Sequence, residues 1–195
     1  MATRVWYETH STTLDNEAGV ATGWLPGELS EVGRQQALTL ARRIDHRKPD
    51  VIFCSDLARA VQTATVALEQ SAIQPPVLLD WRLRECDYGR LNGAPSTEVH
   101  RDRVRYAHHP YPDGESWQTA IDRVAAATSD AAARHAGGTI MIIGHIATYL
   151  GVRRAAGDST PLADLITEEF VWQPGWVYDL GSEPAGKGPA PSEAT

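Results

Sequence analysis

Cysteine is almost absent: Cys54 and Cys86 are the only two in a chain of 195 residues. They stand in unlike contexts and neither belongs to a Cys-x-x-Cys pair, which excludes a disulfide framework or a thiolate metal site as the organising device. Both read as reduced, packed thiols. Positive charge is also short. A formal net charge of −7 and a pI near 5.4 argue against non-specific binding to nucleic acid or anionic lipid, because both need a cationic surface. The run Arg101-Asp102-Arg103-Val104-Arg105 is interleaved with acid and flanked by His and Pro, so it reads as a solvated face. No apolar run approaches the length of a membrane span, and the N-terminus lacks a basic flank followed by a long apolar region. The expectation is a soluble, cytoplasmic protein with neither nucleic acid nor membrane among its partners.

What the chain does contain is ordinary globular usage, 42% hydrophobic and 22% charged, enough for one domain with a sizeable core. Residues 1–180 are read as that domain. The Gly/Pro/Ser/Ala composition of 181–195 predicts a flexible tail. Short apolar runs at Val5-Trp6-Tyr7, Val51-Ile52-Phe53-Cys54, Val77-Leu78-Leu79 and Thr139 to Ile143 read as buried strands. Between them, helical spacing predicts a helix after Ser30 that ends before Lys48-Pro49, and a second behind Ser55 and Asp56 as cap candidates. A weak helix from Thr97 to Tyr106, an Ala-rich helix opened by Glu115-Ser116 and a helix from Ala147 to Ala155 complete the set. Phe170-Val171-Trp172 and Trp176-Val177-Tyr178 around Gln173-Pro174-Gly175 suggest a closing hairpin or bent strand.

Two strands end on a histidine. Val5-Trp6-Tyr7 leads to His10, and the run from Thr139 stops at Gly144-His145. If the two strands are neighbours in a parallel sheet, both rings open onto the crevice at its carboxyl edge, where such sheets bind ligands. The other histidines, His46, His100, His108, His109 and His135, sit in charged, Pro-rich or Ala/Gly-rich surroundings and read as surface residues. Arg59 falls in the first turn of a helix just past a strand end. That is the wrong sign for the helix dipole, and it makes sense if the guanidinium reaches for an anion held at the free N–H groups.

The ordered set of His10, Asn16, Gly23-Trp24, Leu29-Ser30-x-x-Gly33, Ser55-Asp56-Leu57-Ala58-Arg59-Ala60-x-Gln62-Thr63-Ala64, Leu83-x-Glu85-x-x-x-Gly89-x-x-x-Gly93, Gly114-Glu115-Ser116 and Gly144-His145 resembles the histidine phosphatase superfamily, the phosphoglycerate mutase-like group. The likeness runs from about Val5 to Leu150. It implies a three-layer α/β/α fold with a mostly parallel central sheet. The family's Arg-His-Gly triplet reads Thr9-His10-Ser11 here, so the nucleophile is kept and the first arginine is not. Glu8 takes a place that is normally apolar.

By that resemblance His10 attacks phosphorus and the phosphohistidine is hydrolysed by water. Glu85 protonates the leaving oxygen and then activates water. Arg59, a cationic His145, Asn16 and Thr13 bind the phosphoryl oxygens, with Thr9 standing in the arginine's place. Thr22, Gly23, Tyr88 and Arg84 are the candidate substrate contacts. Three outcomes are compatible with the loss of that guanidinium: Arg4, Arg84 or Arg90 swings in as a substitute, with Arg84 the best placed of them, the enzyme is slow, or the pocket only binds. No metal or cofactor is expected, since His10 and His145 lack a compact carboxylate or His-x-x-x-His partner set.

The function implied is a metal-independent phosphomonoesterase of the histidine acid phosphatase type, acting on a small phosphorylated metabolite. A phosphoglycerate mutase is the alternative within enzymes, because Thr22-Gly23-Trp24 and Tyr88 are similar to the mutases. A member that binds a phosphorylated ligand without turning it over is the alternative outside them, motivated by Thr9 and Glu8. A homodimer is left open.

Overall fold

The structure, a computed structural model, describes residues 1–181. The expected tail therefore lies outside the described residues from residue 182 onward. In chain order the elements are β1 (Thr3–Thr9), α1 (Leu14–Glu17), β2 (Val20–Ala21), α2 (Glu31–Arg47), β3 (Val51–Cys54), α3 (Ala58–Gln70), β4 (Val77–Leu79), β5 (Ala94–Pro95), α4 (Ser96–Arg101), α5 (Trp117–Arg134), β6 (Thr139–Gly144), α6 (Ile146–Ala155), α7 (Leu162–Thr167) and β7 (Trp176–Leu180). Short 3-10 turns lie at Trp81–Leu83, Gly89–Leu91 and Arg103–Tyr106. No helix among the described residues is long and apolar enough to cross a membrane.

The central sheet runs β4-β3-β6-β1-β7, parallel except for β7, which pairs antiparallel with β1. Its interior strands are apolar on both faces because both faces are covered. In β6, Ile140 and Ile142 pack with Val5, Tyr7 and Val124 of α5. Met141 and Ile143 point the other way, onto Leu40 and Ile44 of α2 and Ala60 and Ala64 of α3. That alternation of two within one continuous run makes three layers, with α5 and α6 on one side and α2 and α3 on the other. A third cluster, around Trp117, Tyr88, Tyr111 and Leu165, fills the space under the long connections.

Register is what brings distant residues together. Thr9 pairs with Gly144 and Cys54 pairs with Ile143. The next residue of each strand, His10, His145 and Ser55, is therefore delivered to the same carboxyl edge. The backbone ties these exits: His10 N–H donates to the Gly144 carbonyl at 2.8 Å, and Ser55 N–H to that of Ile143 at 3.0 Å.

Glu8, on the β1 face toward α2, is buried and accepts two hydrogen bonds from Arg43, each at 3.0 Å, and one from Arg47 at 2.5 Å. Arg43 and Arg47 are one helical turn apart and so share a face. Arg47 also lies over the Trp6 ring, 3.6 Å from its centroid, and donates to the Pro174 carbonyl. The buried carboxylate is thus balanced by two arginines, and the cluster clamps β1, α2 and the approach to β7 together.

Three local expectations differ from the structure. Neither Ser55 nor Asp56 is the N-cap of α3: Leu57 holds that position without a side-chain bond, while the Ser55 hydroxyl accepts from Leu57 N–H at 3.3 Å and lies 2.8 Å from His145 Nε2. Phe170, Val171 and Trp172 are not a strand. The chain forms α7 first and then runs as an irregular segment before β7, which alone joins the sheet. The basic run is not wholly solvated either, since Arg103 turns inward and lines a cavity.

Candidate active site

The His10 loop is held by two helices. Ser11 N–H donates to the Thr63 hydroxyl at 2.9 Å and Thr12 N–H to the Gln36 side-chain carbonyl at 2.9 Å, one from α3 and one from α2. A Cβ on Gly33 would stand 1.9 Å from the Thr12 carbonyl oxygen, so only glycine lets α2 start this close to the loop. The His10 Nδ1 lies 2.8 Å from the Ser11 carbonyl oxygen. A carbonyl can only accept, so Nδ1 carries the proton and Nε2 carries the lone pair. Nε2 points at Arg59, whose Nε donates to it at 3.3 Å.

Arg59 is 2% exposed. Its Nη2 donates to the Gly23 carbonyl at 2.9 Å and Nη1 to that of Leu25 at 3.4 Å, so the Gly/Pro-rich connection of the sequence serves as its cradle. Gly23 is in the left-handed region at φ 55°, where a Cβ would also strike the Asn92 side-chain oxygen at 1.8 Å. No acidic partner bonds this guanidinium among the described residues, and its free charge is what an incoming anion would meet.

His145 stands behind His10, ring centroids 5.1 Å apart, with Nε2 2.8 Å from the Ser55 hydroxyl. It is fully buried and is not part of the cavity wall. Burial pushes its pKa well below the ordinary histidine value, and Arg59 and His10 add to that. Burial and these two neighbours thus disfavour the cationic form that the resemblance implied for His145. His10 is lowered in the same way, to about 3, by burial and then by Arg59, against the opposing Ser11 carbonyl.

Glu85 arrives from the loop after β4 and docks on the first turn of α6. Its Oε1 accepts from Cys86 N–H at 2.8 Å and Ala147 N–H at 3.0 Å, and Oε2 from Ile146 N–H at 3.2 Å. A carboxylate at a helix N-terminus satisfies donors that have no partner inside the helix. The loop itself hangs on Arg123, a residue sequence reading missed, which donates to the carbonyls of Arg82, Arg84 and Glu85 at 2.7, 2.8 and 2.7 Å and pairs with Glu115.

These groups open onto a cavity of about 610 Å³ whose wall includes Thr9, His10, Asn16, Arg59, Glu85 and Tyr88, with Thr22 and Gly23 beside them. Of the remaining expected contacts, Thr13 is fully buried and is not on the wall. Its hydroxyl accepts from Asn16 N–H at 3.0 Å and caps α1 instead of facing an anion. Arg84 is also off the wall: it is held by Asp56 through two bonds of 2.7 Å and lies over Trp24. Arg4 pairs with Asp179 and Arg90 with Asp113, so neither replaces the missing arginine. His100, read as a surface residue, is exposed but sits on the cavity rim. Among the described residues no group of three His, Cys, Asp or Glu is placed to hold a metal ion.

A sequence model of the histidine phosphatase superfamily (branch 1) matches residues 9–165. A 2,3-bisphosphoglycerate-dependent phosphoglycerate mutase of Tropheryma whipplei (strain Twist) is 40% identical over 93 residues, 46% of this chain and 42% of that protein. The chain is thus matched to less than half the length of that relative. Among solved structures, Bacillus stearothermophilus YhfR is similar with a TM-score of 0.77 and 26% identity, covering 90% of each chain. Mycobacterial glucosyl-3-phosphoglycerate phosphatase, solved with VO3, is similar with a TM-score of 0.73 and 25% identity, covering 85% of each chain.

Proposed function

Because the chain belongs to the histidine phosphatase superfamily, we propose that it is a metal-independent phosphomonoester hydrolase that works through a phosphohistidine on His10. The observation that carries the reading is the His10 tautomer: Ser11 holds the ring proton on Nδ1, which leaves a lone pair on Nε2 at the cavity wall beside the Arg59 guanidinium. Phosphoryl transfer is catalysed mainly by positioning and by stabilising charge on the non-bridging oxygens. An arriving phosphate takes over Arg59, freeing Nε2 to attack phosphorus in line. The P–N bond forms as the ester P–O bond breaks, and the leaving oxygen takes a proton from Glu85. Water, deprotonated by Glu85, then cleaves the P–N bond and releases phosphate.

Asn16 and Thr9 line the wall on the same side as His10 and supply further contacts to the oxygens. With no second arginine there, the clamp forgoes on the order of 3–4 kcal/mol of transition-state stabilisation, by analogy with the loss of one oxyanion donor. A modest kcat is the consequence. The mutase reading, favoured by the match to phosphoglycerate mutases, differs only in the fate of the phosphohistidine. It requires transfer to a second hydroxyl of the ligand before water arrives.

A panel of phosphorylated metabolites assayed for phosphate release, with His10→Ala as control, tests the proposal. Release by the wild type and none by the variant is expected. Appearance of a positional isomer of phosphoglycerate in place of free phosphate would favour the mutase, and activity surviving in His10→Ala would remove the mechanism.

A further inference from the structure

The Gly/Pro-rich connection that cradles Arg59 contains one large side chain that the reaction at His10 leaves without a role. Trp24 lies between the two residues whose carbonyls hold the guanidinium, Gly23 at 2.9 Å and Leu25 at 3.4 Å, and it is not on the cavity wall. Its indole Nε1 donates to the Glu85 main-chain carbonyl at 2.6 Å. Trp24 is therefore joined to both halves of the site: its chain neighbours hold the cation beside His10, and its ring N–H ends on the backbone of the acid.

A carbonyl oxygen has two lone pairs, and at Glu85 both are used, one by Trp24 Nε1 and the other by Arg123 Nη2 at 2.7 Å. The Glu85 carboxylate is held separately, by the N–H groups of Cys86, Ile146 and Ala147. Those bonds tie the acid to α6, and Arg123 ties it to α5, but the indole bond is the one that ties it to the Arg59 cradle. A second link between the two segments is longer: the Asn92 side-chain oxygen accepts from Tyr88 N–H at 3.0 Å and from Trp24 N–H at 3.4 Å. The indole is itself fixed. The Arg84 guanidinium, held by Asp56 through two bonds of 2.7 Å, lies 4.6 Å from the ring centre, and that of Arg123 lies 5.9 Å from it. An acid must meet the leaving oxygen of the same ester whose phosphoryl group the cation holds, so the spacing between Arg59 and Glu85 is a quantity the reaction depends on.

We propose that Trp24 is a positioning residue whose indole N–H sets the spacing between Arg59 and Glu85, so that the acid reaches the leaving oxygen of an ester held by the guanidinium. This inference rests on the phosphatase reading, and the experiment separates the two. Trp24→Phe removes the N–H and keeps an aromatic ring against Arg84. Its effect is read on two esters: p-nitrophenyl phosphate, whose leaving group departs as a stable anion, and benzyl phosphate, whose alkoxide needs a proton from Glu85. The measured quantity is the benzyl-to-p-nitrophenyl ratio of kcat/KM, which reports formation of the phosphohistidine and cancels any general loss of folded enzyme.

In Trp24→Phe the ratio is expected to fall roughly tenfold, part of what general acid catalysis supplies, while inhibition by inorganic phosphate, which reads the Arg59 side alone, stays within about twofold of the wild type. Glu85→Gln leaves no acid to position, so adding Trp24→Phe to it is expected to move the ratio no further. Trp24→Met, which fills the space without a donor, carries the same expectations where Trp24→Phe does not fold. A ratio unmoved by either substitution, or a second fall of the same size in the Glu85→Gln background, overturns the inference and leaves the phosphatase intact. A wild type inert toward benzyl phosphate has no acid to position and overturns the inference as well; the phosphatase reading itself fails only if the metabolite panel also releases no phosphate.

Discussion

The lone pair that His10 offers at Nε2 depends on a ring that stays neutral, and burial, then the nearby Arg59, favour that form by lowering its pKa to about 3. The same depression has a stability consequence. Between about 3 and the unfolded histidine value near 6.5 the unfolded chain binds a proton that the folded one does not. Stability therefore rises with pH through that window and is lost as the pH falls, by up to about 1.4 kcal/mol per pH unit for each such ring. His145 is lowered as well, so the effect doubles where both are neutral only in the native state. Urea unfolding between pH 4 and 7 is expected to show a shallower slope for His145→Asn than for the wild type, and equal slopes would contradict the burial assignment. At position 9, Thr9→Arg adds a guanidinium to the proposed phosphoryl clamp and is expected to raise kcat, by up to roughly 10²–10³-fold. A fall in kcat with intact folding would mean the cavity has been reshaped around the threonine.

Among the elements, the Glu85 loop shows most clearly how the proposed chemistry leans on remote packing. Arg123 on α5 holds three of its carbonyls and is itself paired with Glu115. Arg123→Met is expected to lower kcat by an order of magnitude or more, with a smaller change in KM, because Glu85 loses its fixed approach to the leaving oxygen. A change confined to KM would place the loop in binding alone. Strands and long helices were readable from the residues because their signals are local: Ser30 and Ser116 do cap α2 and α5, and the apolar runs at Val51 and Thr139 are β3 and β6. What escaped was decided by tertiary competition. Ser55 looks like a cap and binds His145, Thr13 looks like a phosphate ligand and caps α1, and Arg103 looks solvated yet is drawn under α7 by the Ile166 carbonyl. None of these choices leaves a mark on the spacing of the sequence.

For the molecule as a whole, the parallel register of β1, β6 and β3 is the device that collects His10, His145 and Ser55 at one edge. It was inferable from two strands that each end on a histidine, while the side-chain partners of those histidines were not. The net charge of −7 opposes an anionic ligand at long range, so under the proposed function the attraction comes from the guanidinium groups on the cavity wall, Arg59 and Arg103, where the surrounding protein screens them less than bulk water would. Both guanidinium groups are placed by backbone carbonyls, which position a cation without cancelling it.

The most direct measurement is a rapid-quench trap with a phosphomonoester substrate, followed by peptide mapping of the protein-bound phosphate. The expected result is one acid-labile, base-stable phosphoryl group on the peptide that contains His10, absent from His10→Ala. Phosphate released with no such intermediate at any time point, or a phosphoryl group mapped to another residue, would contradict nucleophilic attack by His10.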